Sequence, residues 1–316
     1  MKLSKKILLV PLLLSTTLTS CSGANKAYAV ADYRKTLVYH DNFKIVQLTD
    51  LHYGVSTDFD EANAYVTKEI KESSPDLIVI TGDTFMNSNA KIVNKVVSFL
   101  DSFDVPFALT YGNHDFQGDY SSDYIGEVLT KTKNAVFVDY ADDDIYGKTN
   151  YFIDLVNGEE TKYRLYIIDS NSYWQSGLFV GYDIIHEDQI KHLEKIAEEY
   201  GKVPSLAFFH IPLFEFTDAN NLYKEGKIEG TGTNEEKCSV GYQKSDAFLR
   251  MKNIGVKGMF IGHDHINDTT LLYEDVILSY GMKSTAEIYH DKIGYASINL
   301  TSSSLSLNDI EKVVLK

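Results

Sequence analysis

Apolar and polar positions along this chain follow two periods in turn. Short unbroken apolar runs, FKIVQL (43–48), PDLIVI (75–80) and VPFAL (105–109), have the length and β-branched content of buried strands. Between them, DFDEANAYVTKEIKES (58–73) and SNAKIVNKVVSFLDSF (88–103) carry apolar residues at helical spacing. The first begins acidic and ends with a lysine; the second has Ser88 placed as its N-cap. Strand, helix, strand, helix, strand predicts a parallel sheet with right-handed crossovers, and ligands gather at the carboxyl ends of such strands. Further on, NYFIDLV and YRLYIID flank the turn NGEE and predict a hairpin. HEDQIKHLEKIAEEYG (186–201) predicts an amphipathic helix closed by Gly201. PSLAFF (204–209) and VKGMFI (256–261) predict strands, and QKSDAFLRMKN a short helix. TLLYEDVILSY, IGYASINL and SLSLNDIEKVVLK complete the sheet. The polar, glycine-rich YKEGKIEGTGTNEEK (223–237) predicts a mobile loop over a site. No repeat or linker divides the chain after its first residues.

Those first residues read differently. MKLSKKILLVPLLLSTTLTSC opens with three lysines and an apolar core from Ile7 to Leu14 that is too short to span a bilayer. It predicts a signal peptide over 1–20. LTSC (18–21) resembles the bacterial lipobox, which implies lipidation of Cys21, a tether over 21–35 and one domain over 36–316. The expected location is extracytoplasmic, anchored to the cell membrane through Cys21.

The 316 residues are 44% hydrophobic and 12% aromatic, enough for a large core. With Cys21 lipidated, Cys238 stands alone, so the fold needs no internal disulfide, and Cys238 has no C-x-x-C partner for a metal. The net charge is −15, and loss of the signal's three lysines takes it to about −18. Such a body repels nucleic acid polymers, so none is expected as a partner; no protein partner is predicted either.

Five of the apolar runs end in side chains able to hold a metal. These are Asp50 and His52 in TDLHYG, Asp83 in TGD, Asn113 in GNHD, His210 in FFHIP, and His263 and His265 in GHDH. A histidine or aspartate after one strand is an ordinary turn residue. Seven nitrogen and oxygen donors after five strands suit two divalent transition ions, with manganese, iron, zinc and nickel as candidates, and no cysteine is among them to make a thiolate site. A phosphate ester needs such a pair, because two ions can neutralise its charge and lower the pKa of a bridging water.

The order D-x-H, G-D, G-N-H-D, H, G-H-x-H resembles the calcineurin-like metallophosphoesterases over about residues 43–300. The resemblance implies a four-layer αββα sandwich of two mixed sheets flanked by helices. It implies that Asp50, His52 and His265 hold one metal, that Asn113, His210 and His263 hold the other, and that Asp83 bridges them. His114 would face the phosphate and protonate the leaving oxygen, with Asp115 orienting it and keeping it cationic. FFHIPLFEF, GMFIGHDHIND and TNEEKCSVGY look like the proteins grouped with purple acid phosphatases that lack the purple chromophore. The chromophore tyrosine, three residues after the bridging aspartate, is Met86 here, so no purple colour is expected.

The implied activity is hydrolysis of small phosphate esters by a metal-bridging hydroxide, monoesters first. A phosphodiesterase or nucleotidase on the same site is the alternative, and a non-catalytic, metal-containing surface lipoprotein the distant one. Glu215, Glu235 and Glu236 fall in stretches shared with the non-purple subgroup; a solvated acidic loop explains them equally well. Lys283 reads as a surface lysine before a phosphate contact. His40, His186, His192 and His290 are expected to be structural or surface residues. Specificity is expected in loops 84–90, 116–124, 170–183 and 214–242.

Overall fold

The apolar runs pair into two mixed sheets. A computed structural model describes residues 29–139, 145–286, 292–301 and 305–316. Cys21, expected to be lipidated, and His290 lie outside the described residues. After a 3-10 turn, Val30–Tyr33, come β1 (Arg34–Val38), β2 (Phe43–Leu48), α1 (Phe59–Ser73), β3 (Leu77–Thr81) and the two-residue β4 (Ser88–Asn89). Next are α2 (Ala90–Asp101), β5 (Phe107–Thr110), β6 (Gly118–Asp119) and α3 (Tyr124–Leu129). The hairpins β7 (Asn150–Asn157)–β8 (Glu160–Ile168) and β9 (Tyr173–Ser176)–β10 (Phe179–Tyr182) precede α4 (Glu187–Tyr200), β11 (Ser205–Phe208), α5 (Phe214–Lys224) and β12 (Gly230–Thr231). The chain closes with α6 (Ala247–Asn253), β13 (Val256–Ile261), β14 (Thr270–Tyr273), β15 (Val276–Tyr280), β16 (Gly294–Leu300) and β17 (Ile310–Val314).

The first sheet runs β17-β16-β2-β3-β5, and the second β1-β7-β8-β11-β13-β15-β14-β12. β2, β3 and β5 are parallel to one another, as are β8, β11, β13 and β15. Their central residues are buried on both faces, which is why these strands read as unbroken apolar runs. α1 packs on β16 of the first sheet, and α6 on β13 and α5 on β14 of the second, so helices flank two mixed sheets as expected. The sheets meet face to face through a few buried polar links. Gln47 of β2 donates to the Ile261 carbonyl of β13 (2.8 Å), and Thr110 of β5 to the Ile168 carbonyl of β8 (2.6 Å). These links join the carboxyl ends of strands from both sheets at one seam.

Four expectations need correction. α2 is capped by Asn89, whose side chain accepts from Ile92 N, while Ser88 belongs to β4. The loop predicted over 223–237 begins inside α5 and is fastened: Thr233 N donates to Asp268 Oδ1 (2.7 Å), and β12 pairs with β14. Residues 170–183, expected as loop, contain the β9–β10 hairpin; its cue is Gly177, left-handed at φ 60°, between two aromatic and β-branched runs. Residues 30–35, expected to be tether, belong to the folded domain. Val30 and Tyr33 are buried, and β1 pairs in parallel with β7.

β1 is fixed by charge as well as pairing. Asp154 of β7 accepts from Arg164 Nε (2.7 Å) across the hairpin and from Arg34 Nε (2.9 Å) of β1; Asp154 and Arg164 are wholly buried. Removing one partner of a buried pair strands the other charge. Asp154→Ala should therefore lower unfolding stability in urea by about 3–5 kcal/mol. A loss below about 1 kcal/mol would show that the pair does not hold this edge.

Candidate metal centre

The ligand candidates sit just beyond β2, β3, β5, β11 and β13, at the seam between the sheets. Their backbones turn sharply. Asp50, His52, Asp83 and His263 are left-handed, with φ of 53°, 51°, 51° and 80°. Such a conformation costs a non-glycine residue about 1 kcal/mol or more and is kept only where neighbours enforce it. Here Asp50 N donates to the Gly82 carbonyl (3.2 Å) and His52 N to the Asp83 carbonyl (2.9 Å), lacing the β2 and β3 turns together. The motif glycines let these turns touch. A Cβ on Gly112 would collide with Asp83 Oδ1, and one on Gly262 with the Thr49 hydroxyl.

Two groups of donors result. The ligand atoms of Asp50, His52 and His265 lie within 4.8 Å of one another, as do those of Asp83, His210 and His263. Asp50 Oδ2 is occupied by Thr49 Oγ1 (2.7 Å) and His263 N (3.1 Å), which leaves Oδ1 facing His265 Nε2 (3.3 Å) and His52 Nε2 (3.6 Å). Asp83 lies between the groups. Its Oδ1 accepts from His114 N (2.8 Å). Its Oδ2 faces His210 Nε2 at 3.1 Å in its own group and His52 Nε2 at 3.5 Å in the other. His210 Nδ1 meets the Thr81 carbonyl (2.8 Å), which fixes the ring and aims Nε2 inward. Asn113 donates its amide N–H to Tyr173 Oη (2.9 Å), so its carbonyl oxygen is the atom left over.

The fit to metal ions rests on bare atoms. Asp50 Oδ1, both ring nitrogens of His52, Asn113 Oδ1 and His263 Nε2 are buried without a hydrogen-bond partner among the described residues. Leaving a buried polar atom bare costs about 1–3 kcal/mol. Several on one seam, all nitrogen or oxygen, match the donor set of a pair of borderline divalent cations. Burial opposes charge on the His52 and His210 rings. Asp50 and Asp83 beside them outweigh it and push His52 up to about 9 and His210 up to about 10. Burial likewise opposes the Asp50 carboxylate, yet His265 and His52 hold it well below the usual range. Burial and the neighbouring His210 hold His263 down to about 3, a neutral ring with its lone pair available. Without cations, the seam gathers protons in their place.

The remaining candidates divide. His114 is partly exposed, with Nε2 4.0 Å from Asp83 Oδ2. Its Nδ1 is held by Gln117 Oε1 (2.7 Å), not by Asp115. The expectation that Asp115 orients the His114 ring is therefore corrected. Asp115 is buried, and both its oxygens are taken by backbone N–H groups of Asp83 (2.9 Å), Phe85 (2.9 Å) and Gly112 (2.7 Å). It ties the β3 and β5 turns together, a role that position alone does not reveal. Lys283 is buried rather than on the surface, because it follows β15 into the seam, where its backbone bridges Thr49. Glu236 accepts from Ile266 N (3.0 Å) and so holds the turn after His265; Glu215 pairs with Lys244 (3.2 Å); Glu235 is exposed. His192 is buried against Tyr33, and His186 stands before α4 beside Asp183. Gln117 and Tyr173 leave no mark in the sequence, since a loop amide and the first tyrosine of a short hairpin strand carry no motif.

A family model described as calcineurin-like phosphoesterase matches residues 43–267, and the chain belongs to that family. Phosphatase DCR2 of Saccharomyces cerevisiae is 29% identical over 259 residues, covering 72% of this chain and 45% of that protein. The Arabidopsis thaliana protein named "Probable inactive purple acid phosphatase 29" is 28% identical over 306 residues, covering 83% and 77%. A UDP-2,3-diacylglucosamine pyrophosphatase, LpxG of Chlamydia muridarum, is 32% identical over 98 residues, 30% of each chain. This chain spans about half the length of the yeast relatives it matches. The crystal structure of TT1561 of Thermus thermophilus shares the fold at a TM-score of 0.53 and 9% identity, covering 87% of this chain and all of that one.

The histidine shifts set a pH dependence. The raised His52 and His210 stabilise the metal-free fold below their ordinary pKa of 6.5, and that contribution is lost as pH rises through about 9 to 10. A metal must displace the same protons. Affinity for manganese or zinc, measured by calorimetry in several buffers, should rise with pH between about 6.5 and 9, with proton release. Affinity that stays flat over that range would contradict this arrangement.

Proposed function

We propose that this protein is a dimetal phosphohydrolase of small phosphate esters, preferring monoesters, held at the outer face of a bacterial membrane through lipidated Cys21. The observation that carries the reading is Asp83, whose one oxygen lies 3.1 Å and 3.5 Å from imidazoles of two different donor groups. In this reading Asp50, His52 and His265 hold one ion, Asn113, His210 and His263 the other, and Asp83 is shared. Manganese, iron, zinc and nickel all suit the donors. Such a pair supplies, when bound, neutralisation of an anionic ester and an acidified water.

The chain's own residues supply the rest. His114 Nε2 faces the shared carboxylate from a partly exposed ring, where an ester oxygen can reach it. It steadies charge on the phosphate and gives a proton to the departing alkoxide. Gln117 holds that ring from behind without adding charge. Asp115 keeps the turns of Asp83 and Asn113 in register. The name DCR2 supports phosphatase chemistry, and the short LpxG likeness favours a second reading, cleavage of a diester or pyrophosphate. Some relatives are named inactive, but this chain keeps all seven ligand candidates and His114. The net charge of −15 argues against nucleic acid polymers as substrates.

Two measurements test this. The chain from Ser22 should hydrolyse p-nitrophenyl phosphate faster than bis-p-nitrophenyl phosphate when manganese, iron, zinc or nickel is supplied; the reverse order would favour the diester reading. His114→Ala should lose about 10²–10⁴-fold in kcat on esters with poor leaving groups, and much less on good ones. An undiminished rate on every ester would remove His114 from the reaction.

A further inference from the structure

The β9–β10 hairpin stands over the metal centre and ends in bare apolar surface. At its base, Tyr173 and Tyr182 pair across the strands and stack at 5.7 Å. Tyr173 bonds Asn113, and Tyr182 meets the His263 ring edge-on at 4.3 Å. At its tip, Leu178, Phe179 and Val180 are 99%, 78% and 66% exposed. Single exposed apolar residues are normal; three large ones in a row on a protruding turn mark an interaction surface. Residues 173–182 (YWQSGLFVGY) carry no charge, in a chain whose residues are 24% charged. Trp174 stacks on Tyr242 (4.3 Å, 9° between planes) along the flank. Apolar tip, aromatic flank and absent charge are what the interfacial layer of a bilayer accepts.

Geometry favours a membrane over a protein. Three side chains at one hairpin tip, Leu178 of the turn and Phe179 and Val180 of β10, fall well short of the roughly 800 Å² per partner that a stable protein contact needs. The described fold begins at Ala29, and the turn after it lies near the hairpin base. Tyr33, Gly147 and Lys148 line one small cleft. Gly147 and Lys148 also line the cavity of about 310 Å³ that Tyr173 borders. The chain from Cys21 to Ala29 reaches at most about 30 Å. A lipid on Cys21 would therefore keep this face of the domain close to the bilayer.

We propose that Leu178, Phe179 and Val180 insert into the interfacial layer of a phospholipid membrane, turning the mouth of the metal centre toward the membrane surface. Insertion is independent of catalysis, so it stands or falls apart from the proposed hydrolase activity.

The test uses the non-lipidated chain from Ser22 and vesicles of phosphatidylcholine. Trp174 is the chain's one tryptophan, so its emission reports on the hairpin directly. The chain should float with the vesicles, its emission should shift to the blue, and both effects should persist in high salt because no charge is involved. Leu178→Asp with Phe179→Asp should weaken partition by at least about tenfold. These positions are solvent-exposed, so the variant should keep the parent's metal affinity, which serves as the check on folding. Three outcomes would overturn the proposal: a parent chain that neither floats nor shifts, a double variant that floats as well as the parent, or a parent dimer that the double variant breaks.

Discussion

The structure depends on concentrating negative charge where two sheets meet. Asp50 and Asp83 are buried carboxylates on neighbouring strand ends, surrounded by four imidazoles. Burying such charges is costly unless each is paired. The surrounding turns serve that requirement. Left-handed backbone aims the side chains inward, the motif glycines allow the turns to touch, and Asp115 gathers three backbone donors so that the Asp83 and Asn113 turns keep one arrangement. The hydrophobic sheets on either side position these turns and exclude water from them.

This explains how two sheets make one site. Parallel strands place their carboxyl ends on one side, β2, β3 and β5 from one sheet and β11 and β13 from the other. Polar links such as Gln47 to the Ile261 carbonyl fix the sheets at that end. A carboxylate on one sheet can then face an imidazole from the other, as Asp83 does with His210. The hairpin that carries Tyr173 and Tyr182 stands over this junction, so whatever it touches is set close to the metal centre.

Much of this is legible in the residue order, for a physical reason. Doubly buried strands must be apolar, so their ends are conspicuous, and metal donors at those ends stand out against them. The partners that hold the donors are harder to read. Gln117 looks like any loop amide, and Asp115 looks like the partner of its neighbour His114 until the backbone shows that its oxygens are occupied. Lys283 looks exposed because lysine usually is, yet the end of β15 carries it into the seam. α3 and α5 escape a reading by pattern because six and eleven residues with mixed polarity give little periodic signal. The first two residues of β1, Arg34 and Lys35, read as tether because they are charged and the strand, with no fully buried residue, gives no apolar run.

The most direct test of the central claim is an anomalous-diffraction map from crystals grown with manganese or zinc. Two peaks are expected, about 3.5–4 Å apart, flanking the Asp83 carboxylate. One touches Asp50, His52 and His265, and the other touches Asn113, His210 and His263. A single peak, or two peaks that do not share Asp83, would contradict it.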